Sequence, residues 1–212
     1  PDEILCKTRV SAISPGSEIG HFKGLPPLVP KKKEYPRQLG YCNVSEIICI
    51  GKNVKNLFPS QLILTFATHR SSFILNKKDV KYVLPDGSIP ELISTTYLYH
   101  LGYNAVVRSN IRPGSRVLIL GIGALGLTSV RMSSIAGGLV TAVSDNNSIA
   151  QKASDNFAEK CYSRDQILKI LDNQDFPLFD VVIITTNKWQ DLQIALKGAD
   201  KLGRIIVLGF LG

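Results

Sequence analysis

Apolar residues fall along this chain in two rhythms. Up to about residue 90 they come in short, separated runs. Residues 4–13 alternate with polar neighbours, 44–50 and 62–68 are rich in β-formers, and 73–75 and 81–84 are shorter still, with Gly, Pro and Asn between. Short strands at this spacing predict a small all-β or barrel-like domain over residues 1–90. Pro85-Asp86-Gly87-Ser88-Ile89-Pro90 reads as a turn and linker. Beyond it strand and helix patterns alternate: helix over 90–107, strand 116–120, helix 127–136, strand 139–144, helix 149–159, a very short strand at 161–162, helix 165–171, strand 180–185, helix 189–201 and strand 204–208. That alternation predicts βαβ crossovers and a doubly wound parallel sheet over 91–212, an α/β fold.

One turn in the second half carries chemistry. Gly121-Ile122-Gly123-Ala124-Leu125-Gly126 fits G-x-G-x-x-G, follows the run Arg116–Leu120 and opens a helix. Gly121 permits the tight turn, Gly123 lets a pyrophosphate approach the backbone, and Gly126 lets helix and strand pack closely, while the helix N-terminus offers N–H groups to phosphate. An acid about 20 residues on should hold the adenosine ribose, and Asp145 lies 19 after Gly126. If Asp145 is that residue, it favours the 2′-hydroxyl of NAD and repels the 2′-phosphate of NADP. A shift of one residue puts Ser144 there instead, a small hydrogen-bonding residue that could tolerate the phosphate, and Asn146 follows Asp145 at the same strand end. No Arg stands nearby in sequence, so the balance leans to NAD. Thr185, Thr186 and Gly209 end strands at the edge where a cofactor passes.

Composition narrows the partners. With 212 residues, 44% hydrophobic and 20% charged, the chain is globular, one large domain or two small ones. It has no apolar run of membrane-spanning length, and its opening Pro1-Asp2-Glu3-Ile4 leads to the expectation of no secretory leader. Cys6, Cys42, Cys49 and Cys161 form no C-x-x-C pair, which predicts reduced thiols in a cytoplasmic protein rather than a disulfide framework. The net charge of +8 is concentrated in the first half, partly in Lys31-Lys32-Lys33 among prolines. Without an RNA-binding signature or aromatic stripe this reads as a solvated loop, so no nucleic-acid partner is expected.

The two halves together resemble one family. A β-rich first half, a Pro-Asp-Gly linker and Ile111-Arg112-Pro113-Gly114-Ser115-Arg116-Val117-Leu118-Ile119-Leu120-Gly121 are similar to the medium-chain dehydrogenase/reductase superfamily, the fold of zinc alcohol dehydrogenases and quinone reductases. The resemblance implies a GroES-like domain followed by a Rossmann domain, with hydride exchange between a nicotinamide cofactor and an alcohol or carbonyl. Zinc-type members carry a Cys in the early loop and Gly-His-Glu later; this chain has Ser14-Pro15-Gly16-Ser17-Glu18 and Gly40-Tyr41-Cys42-Asn43-Val44. The third ligand position falls near Thr96-Tyr97, again without a thiolate. A catalytic zinc needs three such ligands, so no zinc is expected. The pattern is similar to a zinc-lacking subgroup that includes the bacteriochlorophyllide dehydrogenase type and bi-domain oxidoreductases.

Pro59-Ser60-Gln61 stands where members carry Gly-Asp, which should loosen that turn. The family begins about one strand earlier and continues past the fifth strand, so a fragment of both domains, truncated at the C-terminus, is the expectation. Family members commonly dimerise, so the resemblance implies that a homodimer is open to the full-length protein.

Without a metal, a hydroxyl or imidazole must stabilise the developing alkoxide. Ser17 matches the start of the family's proton relay, and Tyr41, at a ligand position, should face the same pocket. Each has a plainer reading, Ser17 as a turn residue and Tyr41 as a space-filling aromatic. Glu18 is expected to orient its loop, His21 to be a loop residue and His100 a packed helix residue, while His69 reads as a surface or capping residue that could instead line the cleft. The expected activity is a zinc-independent NAD(P)-dependent oxidoreductase acting on a small alcohol or carbonyl, with a catalytically idle dinucleotide-binding protein as the alternative.

Overall fold

The computed structural model describes residues 1–24, 36–155, 157–173 and 175–209. The Lys31-Lys32-Lys33 run lies outside them. The chain divides into two compact units, Pro1–Tyr97 and Leu98–Gly212. The division falls inside a helix, a few residues beyond the Pro-Asp-Gly linker.

In the first unit an antiparallel sheet is built from β1 (Glu3–Ser11), β2 (Asn43–Ile50), β3 (Leu62–Thr65), β4 (Ser72–Asn76) and β5 (Tyr82–Val83), in the order β4-β1-β2-β3-β5. Each corresponds to one of the short apolar runs. Alternation along β1 buries Ile4 and Cys6, which pack with Ile47, Ile63 and Phe73 in one core. Two register shifts between β1 and β2 bend the pair locally.

Two local features depart from the expectation. Ser14–Glu18 is not a loop: α1 spans Pro15–Lys23, so Ser17, Glu18 and His21 are helical. Pro15 at the first helical position has its φ preset, and Gly24 closes the helix in the left-handed conformation at φ 65°. The turn at Pro59-Ser60-Gln61 keeps its hydrogen bonds, with the Ser60 N–H donating to the Ile47 carbonyl at 2.8 Å. It does so with Ser60 at φ 68°, a conformation natural to glycine and strained for serine.

In the second unit, α3 (Thr96–Ser109) leads into β6 (Arg116–Leu120), α4 (Ala124–Ile135), β7 (Leu139–Val143), α5 (Asn147–Asp155), β8 (Lys160–Tyr162), α6 (Arg164–Leu171), β9 (Phe179–Ile184), α7 (Trp189–Gly198) and β10 (Ala199–Val207). The strands are parallel in the order β10-β9-β6-β7-β8. Strand order therefore reverses between β6 and β9, and ligands of such sheets bind outside the carboxyl ends of the strands at that point. The centre of the sheet is covered on both faces. Val117 and Ile119 pack with Ala105, Val130 and Ala153, while Leu118 and Leu120 pack with Ile167, Leu171 and Ile194. This is why these strands read as continuous apolar runs.

The expected helix over 90–107 is two, α2 (Pro90–Ser94) and α3, parted at Thr95. The helix expected to reach residue 201 stops at Gly198. The chain then pairs Ala199 with Phe179 and bulges out before Arg204 rejoins the ladder opposite Val181. Arg116 bridges Asp180 and Asp200 there, at 2.8 and 3.4 Å.

The strained Ser60 gives a direct test. Ser60→Gly should raise the unfolding free energy by about 1 kcal/mol, read as a higher denaturant midpoint at unchanged slope.

Candidate cofactor site and hydroxyl cluster

The turn between β6 and α4 is shaped by close contacts that exclude side chains. Gly121 has φ 89°, and a Cβ there would collide with the Thr186 side chain. A Cβ on Gly126 would fall well inside contact with the Gly121 carbonyl oxygen, so the first turn of α4 rests directly on the strand end. Gly123 differs: nothing lies within 4 Å of where its Cβ would be. The clamp on the turn is Thr185, whose hydroxyl donates to the carbonyls of Gly121 at 2.6 Å and Leu120 at 3.2 Å. Gly123 and Ala124 are exposed, Leu125 is half-buried, and no acid stands in the first turn of α4. The N-terminus of this helix at Gly123 thus lies beside open space with a favourable dipole, which suits an anionic phosphate. The space around the three glycines thus differs, closed at Gly121 and Gly126 and open at Gly123.

At the end of β7, the residues expected at the ribose are placed side by side but differently engaged. The Ser144 hydroxyl accepts the Asn146 N–H at 3.2 Å. The Asn146 side chain caps α5, accepting from the Ser148 N–H at 3.1 Å. Asp145 is half-exposed, and its carboxylate is taken by Arg164. The Arg164 backbone N–H donates to Oδ1 at 2.9 Å and its Nη1 donates to Oδ2. An arginine therefore does stand beside Asp145, brought there by the β8–α6 connection. Arg164 is itself buried and held bidentately by Asp191, Nε to Oδ1 at 2.7 Å and Nη2 to Oδ2 at 2.8 Å. Asp191 is fully buried and also accepts from the Thr186 hydroxyl. The Arg164 backbone amide, with its guanidinium in support, holds the Asp145 carboxyl below its ordinary value. Asp191 and then Asp145 keep Arg164 firmly charged. Gly209 lies against Thr186, whose carbonyl oxygen would collide with any Cβ at that position.

In the first unit Ser17 and Tyr41 meet: their hydroxyls are 2.7 Å apart. Ser17 also reaches the Ser14 hydroxyl at 3.1 Å. The Tyr41 ring packs on Tyr97 at 4.7 Å between centroids, and Tyr97 on Phe66 at 5.3 Å. The two positions where the family pattern has metal ligands are thus filled by neighbouring aromatic rings. Cys42 is buried, and that burial pushes its thiol up to about 11, with the Glu18 charge adding to the effect. Among the described residues, no group of three or more His, Cys, Asp or Glu side chains could hold a metal ion.

His69 was expected at the surface, but it is built in. Its Nε2 meets Glu18 Oε2 at 2.7 Å and its Nδ1 meets the Ser11 hydroxyl at 2.6 Å. Glu18 is buried and its other oxygen accepts the Ser14 N–H at 2.7 Å, so the pair ties the start of α1 to the loop after β3. Gly40, at φ 91°, is required here because a Cβ would meet the His69 ring at 2.5 Å. His21 and His100 are not in this cluster; His21 accepts at its carbonyl from Arg37 and His100 lies on α3. A cavity of about 660 Å³ in the same unit, lined by residues including Val54, Leu57, Lys77 and Lys81, includes neither Ser17 nor Tyr41. No described helix is long and apolar enough to cross a membrane.

No protein-family model matches the chain. No curated protein matches it either. Its structure, however, is similar to several solved ones. An oxidoreductase/dehydrogenase of unknown specificity from Escherichia coli superimposes with TM-score 0.85 at 18% identity, over 99% of this chain and 70% of that one. A putative zinc-binding dehydrogenase from Sinorhizobium meliloti, bound to NADP, gives 0.85 at 19%, over 100% and 70%. The 2R,3R-butanediol dehydrogenase of Bacillus subtilis gives 0.84 at 17%, over 99% and 71%. At these identities the likeness establishes the fold: a GroES-like antiparallel unit followed by a Rossmann unit, as in alcohol dehydrogenase-like proteins.

The buried charge network sets an expectation for stability. Arg164→Met leaves Asp191 without its partner in the interior and should cost about 3–5 kcal/mol in chemical denaturation, whereas Asp145→Asn, at a half-exposed position, should cost far less.

Proposed function

We propose that the chain is a zinc-independent, NAD(P)-dependent oxidoreductase acting on an alcohol or carbonyl group of a small molecule. The observation that carries this reading is the turn at Gly121–Gly126, with Gly123 facing open space at the N-terminus of α4 beside the point where strand order reverses. Gly121, Gly123, Ala124, Leu125 and Gly126 would hold the pyrophosphate through backbone amides, and Thr185, Thr186 and Gly209 would border the dinucleotide. Ser144, Asp145 and Asn146 would meet the adenosine ribose. When bound, a nicotinamide dinucleotide supplies the hydride chemistry.

The residues of this chain then handle the proton. Ser17 and Tyr41 share one hydrogen bond, which consumes one of their two hydroxyl protons. The other is available to an oxygen that gains negative charge as a carbonyl is reduced, or to accept in the opposite direction. A donor already hydrogen-bonded through its own oxygen is strengthened by that bond. The Glu18–His69 pair fixes the start of α1, and with it the Ser17 hydroxyl. The reading assigns cofactor binding to the second unit and proton handling to the first.

Independence of zinc is supported by the donor set. Tyr41 and Tyr97 offer neither the thiolate nor the imidazole that zinc takes. An unpaired Asp145 would favour NAD; with Arg164 bound to it, that preference is blunted. A second reading, an idle dinucleotide-binding protein, is favoured by one feature: Ser17 also reaches Ser14, so both hydroxyl protons can be spent inside the cluster.

Titration of the chain with NADH or NADPH, followed by nucleotide fluorescence, should saturate, and Gly123→Asp should abolish binding while circular dichroism stays unchanged. Loss of neither cofactor in that variant would sink the cofactor site. Ser17→Ala and Tyr41→Phe should each leave nucleotide affinity unchanged and lower turnover of any substrate found by about 10²–10⁴-fold. Unchanged turnover in both would favour the idle protein.

A further inference from the structure

The ribose end of the proposed site holds an acid that is already engaged. Both oxygens of Asp145 accept from Arg164, one from the backbone amide and one from the guanidinium. Arg164 opens α6, on the face of the sheet that α6 and α7 cover, and it is locked in place there by the buried Asp191. Asp145 is therefore drawn toward that face and half of an ion pair. The network behind it cannot release Arg164 cheaply, because Asp191 would remain as an unpaired interior charge.

Two neighbours complete the picture. Ser144, one residue earlier and half-buried, brings a small hydroxyl to the same strand end. Lys188, exposed at the start of α7, is tied to the same network: its backbone N–H donates to the Thr186 hydroxyl at 3.5 Å, and that hydroxyl donates to Asp191. A phosphate near this strand end would meet a hydroxyl, a lysine and a neutralised acid instead of a bare carboxylate.

Resting on the dinucleotide reading above, we infer that the site accepts the 2′-phosphorylated nicotinamide dinucleotide, with Ser144 and Lys188 as the residues that receive the phosphate and Arg164 as the residue that disarms Asp145. This reverses the preference for NAD that a lone Asp145 implies. The relevant discrimination is electrostatic, so it also predicts a salt signature: the 2′-phosphate adds charge, and affinity for NADPH falls more steeply with ionic strength than affinity for NADH.

The test is binding alone, on the 212-residue chain, with NADH and NADPH as the probes. NADPH should bind at least as tightly as NADH. Lys188→Glu and Lys188→Gln, both at an exposed position outside the sheet core, should weaken NADPH, the first by about tenfold or more, and leave NADH within about threefold. A wild-type chain that binds NADH more tightly than NADPH would overturn the inference and leave the cofactor site standing. So would variants that weaken both nucleotides equally. Binding of neither nucleotide by a folded chain would instead overturn the cofactor reading, and this inference with it.

Discussion

The approach of α4 to the end of β6 is the constraint on which the second unit turns. The Gly121 carbonyl and the Gly126 backbone meet so closely that no side chain fits between them, and Thr186 closes the other flank of Gly121. Because the helix starts against the strand, its first amides emerge at the carboxyl edge of the sheet. Because β6 is the central strand, that edge is also the place where strand order reverses. Fold and candidate site thus follow from one packing contact. Of the three glycines in that turn, Gly123 is the one that stands open for a ligand to approach.

A second organising element is electrostatic. Asp145, Arg164, Asp191 and Thr186 come from the ends of β7 and β9 and the starts of α6 and α7, and one guanidinium joins them. A buried pair of this kind is a weak source of net stability against an apolar replacement, but it is costly to break. Its consequence is registration: the loops that would border the adenosine are fixed relative to one another. In the first unit, Glu18 and His69 play a comparable part, anchoring α1 so that Ser17 meets Tyr41.

Much of this was legible in the chain because local signals agreed. The runs at 116–120 and 180–184 are fully buried parallel strands, and such strands announce themselves as continuous apolar, β-branched segments. The glycine motif could be read because a strand preceded it and a helix followed. What was missed depends on distant partners or on overlooked punctuation. Asp145 and Arg164 are brought together only by the β8–α6 connection, and Glu18 and His69 only by the sheet of the first unit, so neither pairing has a local signature. The helix α1 did have one, in Pro15 and Gly24, at positions that suit helix start and stop. Ser60 shows the converse case, a turn retained by tertiary hydrogen bonds although its residue disfavours the conformation.

The central claim is that the open face of the Gly121–Gly126 turn receives the phosphates of a dinucleotide. Amide chemical-shift mapping by nuclear magnetic resonance on addition of NADPH tests it most directly. The account predicts that the largest shifts fall on Gly123, Ala124, Leu125 and Gly126, with a second group at Ser144. Shifts confined to the first unit, with these amides unmoved at saturating nucleotide, would contradict it.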